Sequence, residues 1–227
     1  MKTAIALLCF LIFVGPAQAM THPFKSLYGD EIRFNVLRDN RTVGEYRTRF
    51  NATRDGWEAR VEMSVSLRMM LLFSYEYRYY ALERWQDGEL AELSVLVDED
   101  GDQQRLHLQR KNDRLTTAPL SDHFTYRPIQ LPIFTTHHFD PRVIGQERIL
   151  NTLTGKENQV EMIHEGETEL MIAGKAVPCD RYRYEGDLRN TEVWYAKTGQ
   201  WLKLRFPDKR GATIELECVA CGISTDG

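Results

Sequence analysis

Ile32, Phe34 and Val36 alternate with Arg33 and Asn35, which predicts a strand with one buried face starting near Tyr28. Asp39-Asn40 forms a turn, and Thr42 to Phe50 alternates again to complete a hairpin. After Arg54-Asp55-Gly56, the residues Trp57, Ala59, Val61, Met63, Val65 and Leu67 alternate with Glu58, Arg60, Glu62, Ser64, Ser66 and Arg68. A helical period of 3.6 cannot generate that series. Met69 to Phe73 interrupts it with five consecutive apolar residues, and Tyr75, Tyr77, Tyr79 and Ala81 then resume it. Asp87-Gly88 and the acidic turn Asp98 to Asp102 separate two further strands, and Arg114 to Thr117 adds a short one. Residues 28–118 thus read as an antiparallel meander.

Pro119, Pro128, Pro132 and Pro141 change the texture, because each proline removes a backbone donor that a central strand needs. Residues 119–155 are a crossing segment. Asp140-Pro141 has the form of a helix N-cap followed by proline at the first helical position, which predicts a short helix over 141–148. Residues 156–221 return to strand texture in six pieces, among them 158–164 and 168–172. The fold class is mainly β: a large, strongly curved antiparallel sheet or open half-barrel, since a sheet of about a dozen strands cannot stay flat. Its concave face is expected to carry Trp57, Val61, Val65, Tyr75, Tyr79 and Trp194 or its neighbours, with the crossing segment capping the mouth.

Residues 1–19 change the compartment. Lys2, the apolar stretch Thr3 to Val14, the break at Gly15-Pro16 and the small residues of Ala17-Gln18-Ala19 predict a secretory signal peptide cut before Met20. The 227-residue chain then yields a mature domain of 208 residues, 20–227, whose net charge becomes −5 from −4 once Lys2 is gone. A periplasmic or secreted protein follows. The mature part has no run of roughly 18 apolar residues for a membrane span. Charges of both signs are mixed along it, which speaks against a nucleic-acid partner. In an oxidising compartment Cys218 and Cys221 form a C-x-x-C pair free to close, which leaves Cys179 odd, or Cys179 pairs with one of them. The pair ends a strand-like run rather than opening a helix, so it reads as a structural clip.

Three stretches resemble a known family. They are Tyr28-Gly29-Asp30-Glu31-Ile32 leading to Val43-Gly44, then Leu150 to Gly155, and then Asp187-Leu188-Arg189 with Glu192-Val193-Trp194-Tyr195 and Trp201 to Phe206. Together they resemble the bacterial domain of unknown function 6134, and the plan is similar to the wider exported group called domain of unknown function 3108. The resemblance implies export and a curved β-sheet and supplies no activity. By looser analogy, such sheets look like the half-barrels of periplasmic lipoprotein carriers.

No serine-nucleophile elbow, phosphate loop or helical H-E-x-x-H is present. His137-His138, with His123 and Asp140 nearby, is the only histidine cluster and reads as polar loop residues, so no metal and no cofactor is expected. Strand carboxylates such as Glu76, Glu83, Glu192 and Glu215 read as solvated faces rather than an acid or base. The expected role is a non-enzymatic binding or carrier module for a lipid-like ligand. Met69, Met70, Phe73, Tyr75, Tyr79 and Trp194 would supply apolar surface, while Asn151, Thr152 and Thr154 would grip a polar head. The alternative is an envelope scaffold that meets a protein partner, and a metal-dependent hydrolase ranks last.

Overall fold

The computed structural model describes residues 21–69, 73–117 and 127–223. A short helix α1 (Lys25–Tyr28) leads into β1 (Glu31–Arg38), β2 (Arg41–Thr53), β3 (Gly56–Met69) and β4 (Phe73–Gln86). Next come β5 (Glu89–Glu99), β6 (Asp102–Lys111), β7 (Arg114–Thr117), β8 (Ile129–Gln130) and β9 (Phe134–Thr135). A 3-10 turn (Pro141–Val143) precedes β10 (Arg148–Asn151), β11 (Lys156–Ile172), β12 (Lys175–Gly186), β13 (Glu192–Ala196), β14 (Trp201–Pro207) and β15 (Thr213–Ala220). All strands join one mixed sheet in the order β8-β7-β6-β5-β4-β3-β2-β1-β15-β14-β13-β12-β11-β10-β9. The mainly β, strongly curved sheet expected from the alternation is what forms. One pair, β9 with β10, runs parallel.

The two edge strands, β8 and β9, are neighbours in sequence, separated by Leu131, Pro132 and Ile133 alone. Four Cα-to-Cα steps span at most about 14 Å, so the two edges of the sheet lie close together and the sheet rolls up without closing. Inward positions fill the roll: Ile32, Phe34 and Val36 from β1, Phe50 from β2, and Trp57, Ala59 and Val61 from β3 are all buried. Phe24, beside α1, packs its ring 5.2 Å from both Phe50 and Trp57 and 5.4 Å from Phe139. Trp57 stacks on Trp85 at 5.2 Å.

The structure differs from expectation at several points, the first two in the crossing segment. Among its described residues, His137, His138 and Phe139 do not lie over a mouth but run through the interior, at 4, 4 and 1% exposure. A loop buried there has carbonyls that water cannot reach, and tyrosines supply the donors. Tyr28 donates to the Phe139 carbonyl and Tyr195 to that of His138, each at 2.9 Å. The Tyr28 oxygen also accepts from the Trp201 amide at 2.9 Å. Second, the helix predicted over 141–148 is only a 3-10 turn. Asp140 caps it as expected, accepting from the Arg142 amide at 3.0 Å. Gly145 then takes φ +82 and Ile149 and Leu150, both 0% exposed, join the sheet in β10, because two adjacent apolar residues bury better there than on one turn. Third, 158–164 and 168–172 belong to one long β11 with an irregularity between His164 and Gly166. Tyr28 likewise lies in α1, so β1 begins at Glu31.

Cys218 and Cys221 are joined, with Cα atoms 6.0 Å apart, and Cys179 remains free and buried. Burial pushes the Cys179 thiol up to about 11, with Asp180 adding to the shift and Lys197 opposing it. Since the thiolate is the reactive species, native protein at pH 8 should leave Cys179 unmodified by a thiol reagent while denatured protein labels it fully. Peptide mapping after each treatment tests this, and native labelling at Cys179 would contradict it.

Candidate functional site

The residues singled out from sequence do not assemble into one pocket. Met70 lies outside the described residues, while Met69 and Phe73 pair their backbones at the top of β3 and β4. Tyr75 is half-buried on the inward face and donates its hydroxyl to Glu99 at 3.0 Å. Tyr79 and Thr152 do come together, but both are buried in the interior. The Tyr79 hydroxyl meets His137 Nε2 at 2.8 Å, and the Thr152 hydroxyl meets that of Thr136 at 3.1 Å. Burial drives the Tyr79 hydroxyl far above its ordinary range, partly offset by a hydrogen bond with Thr152. Asn151 closes a turn by accepting from the Leu153 and Thr154 amides at 3.0 and 3.1 Å, and Thr154 is exposed.

Trp194 is a correction. It sits on the outer face rather than the concave one, because its cross-strand neighbours are Arg181 and Lys203. The Arg181, Lys203 and Arg205 cations stand 6.0, 5.7 and 5.4 Å from its ring, which buries it under charge rather than in a ligand cup.

The histidine pair and Glu83 give a second correction: the histidines read as polar loop residues and Glu83 as part of a solvated strand face, whereas all three are buried. Glu83, 0% exposed, receives Trp85 Nε1 on one carboxylate oxygen at 2.8 Å and His137 Nδ1 on the other at 2.5 Å. The run Trp85–Glu83–His137–Tyr79 therefore ties the crossing segment to β4. Carboxylate and imidazole in contact is the arrangement general bases use, yet both ring nitrogens of His137 are already engaged by protein groups. Among the described residues no cluster of three or more His, Cys, Asp or Glu is placed to hold a metal.

The open concavity lies on the outer face of β3 to β6. Register aligns Arg60, Leu82, Ser94 and His107 in one cross-strand row and Glu62, Tyr80, Leu96 and Arg105 in the next. Between the rows is a groove of about 570 Å³. That volume falls within the range of small-molecule sites. Tyr80 is 45% exposed, and Leu82 and Leu96 are half-buried. Three apolar side chains thus stand where a solvated face calls for polar ones.

The rim is polar and layered. Arg60 Nη2 meets Glu58 at 2.7 Å, and Arg84 Nη1 meets Glu92 at 2.6 Å, the latter also contacted by His107 Nε2 at 3.1 Å. The carboxylates are sunk, Glu58 and Glu92 being 10 and 19% exposed, whereas Arg60 and Arg84 stand out at 60 and 48%. Burial works to raise the Glu92 carboxyl, but Arg84 and His107 outweigh it and hold it below its usual range.

A sequence signal for these residues existed. Tyr79-Tyr80-Ala81-Leu82 and Val95-Leu96-Val97 both break period two by placing apolar residues on outward positions, and the register of β4 with β5 puts the two breaks side by side.

A family model for the domain of unknown function DUF6134 matches residues 34–219. The chain belongs to this family. DUF6134 carries no assigned activity in its description, and the likeness to domain of unknown function 3108 stays a resemblance. No curated protein matches the chain. Among solved structures, the DUF6134 chain is similar to a beta-barrel-like protein of domain of unknown function DUF1849 from Brucella abortus. That likeness has a TM-score of 0.60 and 9% identity, and it covers 89% of this chain and 98% of the other. At that identity it shows a shared fold and nothing of function. No helix among the described residues is long and apolar enough to cross a membrane.

Proposed function

We propose that this chain is an exported, non-enzymatic binding module that carries an apolar or amphipathic, lipid-like ligand, seated in the outer groove of β3 to β6. Export rests on the signal-peptide pattern of residues 1–19. The observation that carries the binding reading is the meeting of Tyr80, Leu82 and Leu96 in a concavity of small-molecule size. The inward face is less suited, because rings from α1, the crossing segment and four strands fill it beside β1 to β4. A fluorescent fatty acid titrated into gently delipidated protein should bind saturably, and native mass spectrometry should show one added mass. Leu82→Asp with Leu96→Asp should weaken that binding tenfold or more while leaving circular dichroism unchanged, because both side chains face outward. Absence of a saturable signal for the wild type would end this reading.

A second reading, a scaffold that pairs with an envelope protein, is favoured by one feature. β11 meets β10 only over residues 156–159, which leaves 161–172 without a strand on that side among the described residues. Such an edge accepts an added strand, although Glu161, Glu165, Glu167 and Glu169 make it a guarded one. Photo-cross-linking from Glu167 to a single envelope protein, with no ligand in the groove, would decide for it.

A further inference from the structure

The groove's floor and rim together specify more than apolarity. We infer that the groove selects single-chain amphiphiles with an anionic head, the head meeting Arg60 and the chain lying across Leu82, Tyr80 and Leu96 toward Arg105; this rests on the groove being the ligand site proposed above.

Three observations lead there. The first is size. The exposed apolar floor is three side chains, far short of the roughly 800 Å² per partner that a standard protein interface covers. A folded partner would find too little to bury, whereas a flexible chain would not. The second is length. From Arg60 on β3 to Arg105 on β6 is three inter-strand steps, about 14 Å, with Leu82, Tyr80 and Leu96 flooring the two middle strands, so an extended chain of about ten to twelve carbons is the longest that the groove holds.

The third is the layering of charge. Arg60 and Arg84 are matched in number by Glu58 and Glu92, so a count of charges around the groove suggests neutrality. The geometry does not, because both carboxylates lie low against the sheet and the guanidiniums form the outward layer. Glu58 takes the Nε and Nη2 of Arg60 through a single oxygen, at 2.9 and 2.7 Å. The rest of the five guanidinium donors are left for an incoming anion. A carboxylate, sulfate or phosphate head can then bind Arg60 without displacing its fixed partner, and charge assistance strengthens those hydrogen bonds. Arg84, which approaches the other Glu58 oxygen at 4.0 Å, adds a second cation at the same end. A cationic head would meet the guanidiniums first and be repelled. Glu62, 46% exposed, stands in the row of Tyr80 and Leu96 and discourages an anion from settling over the middle of the floor.

The test uses the full exported domain and four sub-micellar probes displacing a fluorescent fatty acid: dodecanoate, hexanoate, dodecyl maltoside and dodecyltrimethylammonium. Dodecanoate should bind at least tenfold more tightly than the neutral and cationic twelve-carbon probes, and hexanoate should be weak. Arg60→Gln should lower dodecanoate affinity about tenfold, leave the maltoside unchanged and flatten the salt dependence. Arg60 is exposed, so the variant should fold, with circular dichroism as the check. Equal binding of all three twelve-carbon probes, or an unmoved dodecanoate affinity in Arg60→Gln, overturns the head selectivity and leaves the site standing. If no probe binds the wild type but the Leu82 and Leu96 face cross-links to a protein, both the selectivity and the ligand reading fall.

Discussion

Glu83→Ala should cost about 3–5 kcal/mol of unfolding free energy, enough to leave little folded protein if the domain is marginally stable. Among the described residues the carboxylate is the one acceptor of the Trp85 indole N–H, it is also the partner of His137 Nδ1, and at 0% exposure it has no water to take its place. Truncation therefore strands two buried polar groups, each costing about 1–3 kcal/mol, and opens a void under stacked Trp57 and Trp85. Because His137 holds Tyr79 in turn, the loss should loosen the crossing segment as well as β4. Glu83→Gln keeps an acceptor for Trp85 and should cost markedly less. Urea denaturation of the three proteins checks this. An alanine variant within 1 kcal/mol of the wild type would mean the relay does not anchor the segment.

The sheet was legible because its first half alternates almost without error, so strand positions and turn residues follow from period two alone. Trp57 to Leu67 on β3 needs no tertiary information to be read as a half-buried strand. The crossing segment was opaque for the opposite reason. His137 and His138 look like polar loop residues, and what holds them and the following Phe139 inside is a set of hydroxyls from Tyr28, Tyr79, Tyr184 and Tyr195, 46 to 111 residues away. Nothing local signals those partners. Trp194 was misplaced because Val193, Trp194, Tyr195 and Ala196 are all buried and carry no alternation to say which face each takes. The groove was half legible: its two breaks of period are visible in the chain, but their adjacency depends on the register of β4 with β5, which turns set and hydrophobic pattern alone does not.

The buried polar groups inside the roll also make the fold sensitive to acid. His138 is buried, its Nε2 meeting the Tyr184 hydroxyl at 3.2 Å, and its ring lies 5.9 Å from that of Trp201. Burial lowers its pKa from 6.5 to about 4, partly opposed by the Thr136 backbone and reinforced by His137. Above pH 6.5 the side chain is neutral in folded and unfolded chains alike and adds no pH dependence. Between pH 6.5 and 4 the unfolded chain takes up a proton that the folded one does not, so stability should fall by about 1.4 kcal/mol per pH unit, roughly 3 kcal/mol in all. His138→Asn isolates this contribution, since asparagine tolerates the φ of +61 found there. The variant should be less stable at pH 8, where Tyr184 loses its acceptor, and the gap to the wild type should then close by about 3 kcal/mol as pH drops to 4. A gap that stays constant from pH 8 to 4 in urea melts would show that His138 does not carry the acid sensitivity. A closing gap would mean that the tyrosine-held crossing segment is the part of the fold that acid strains first.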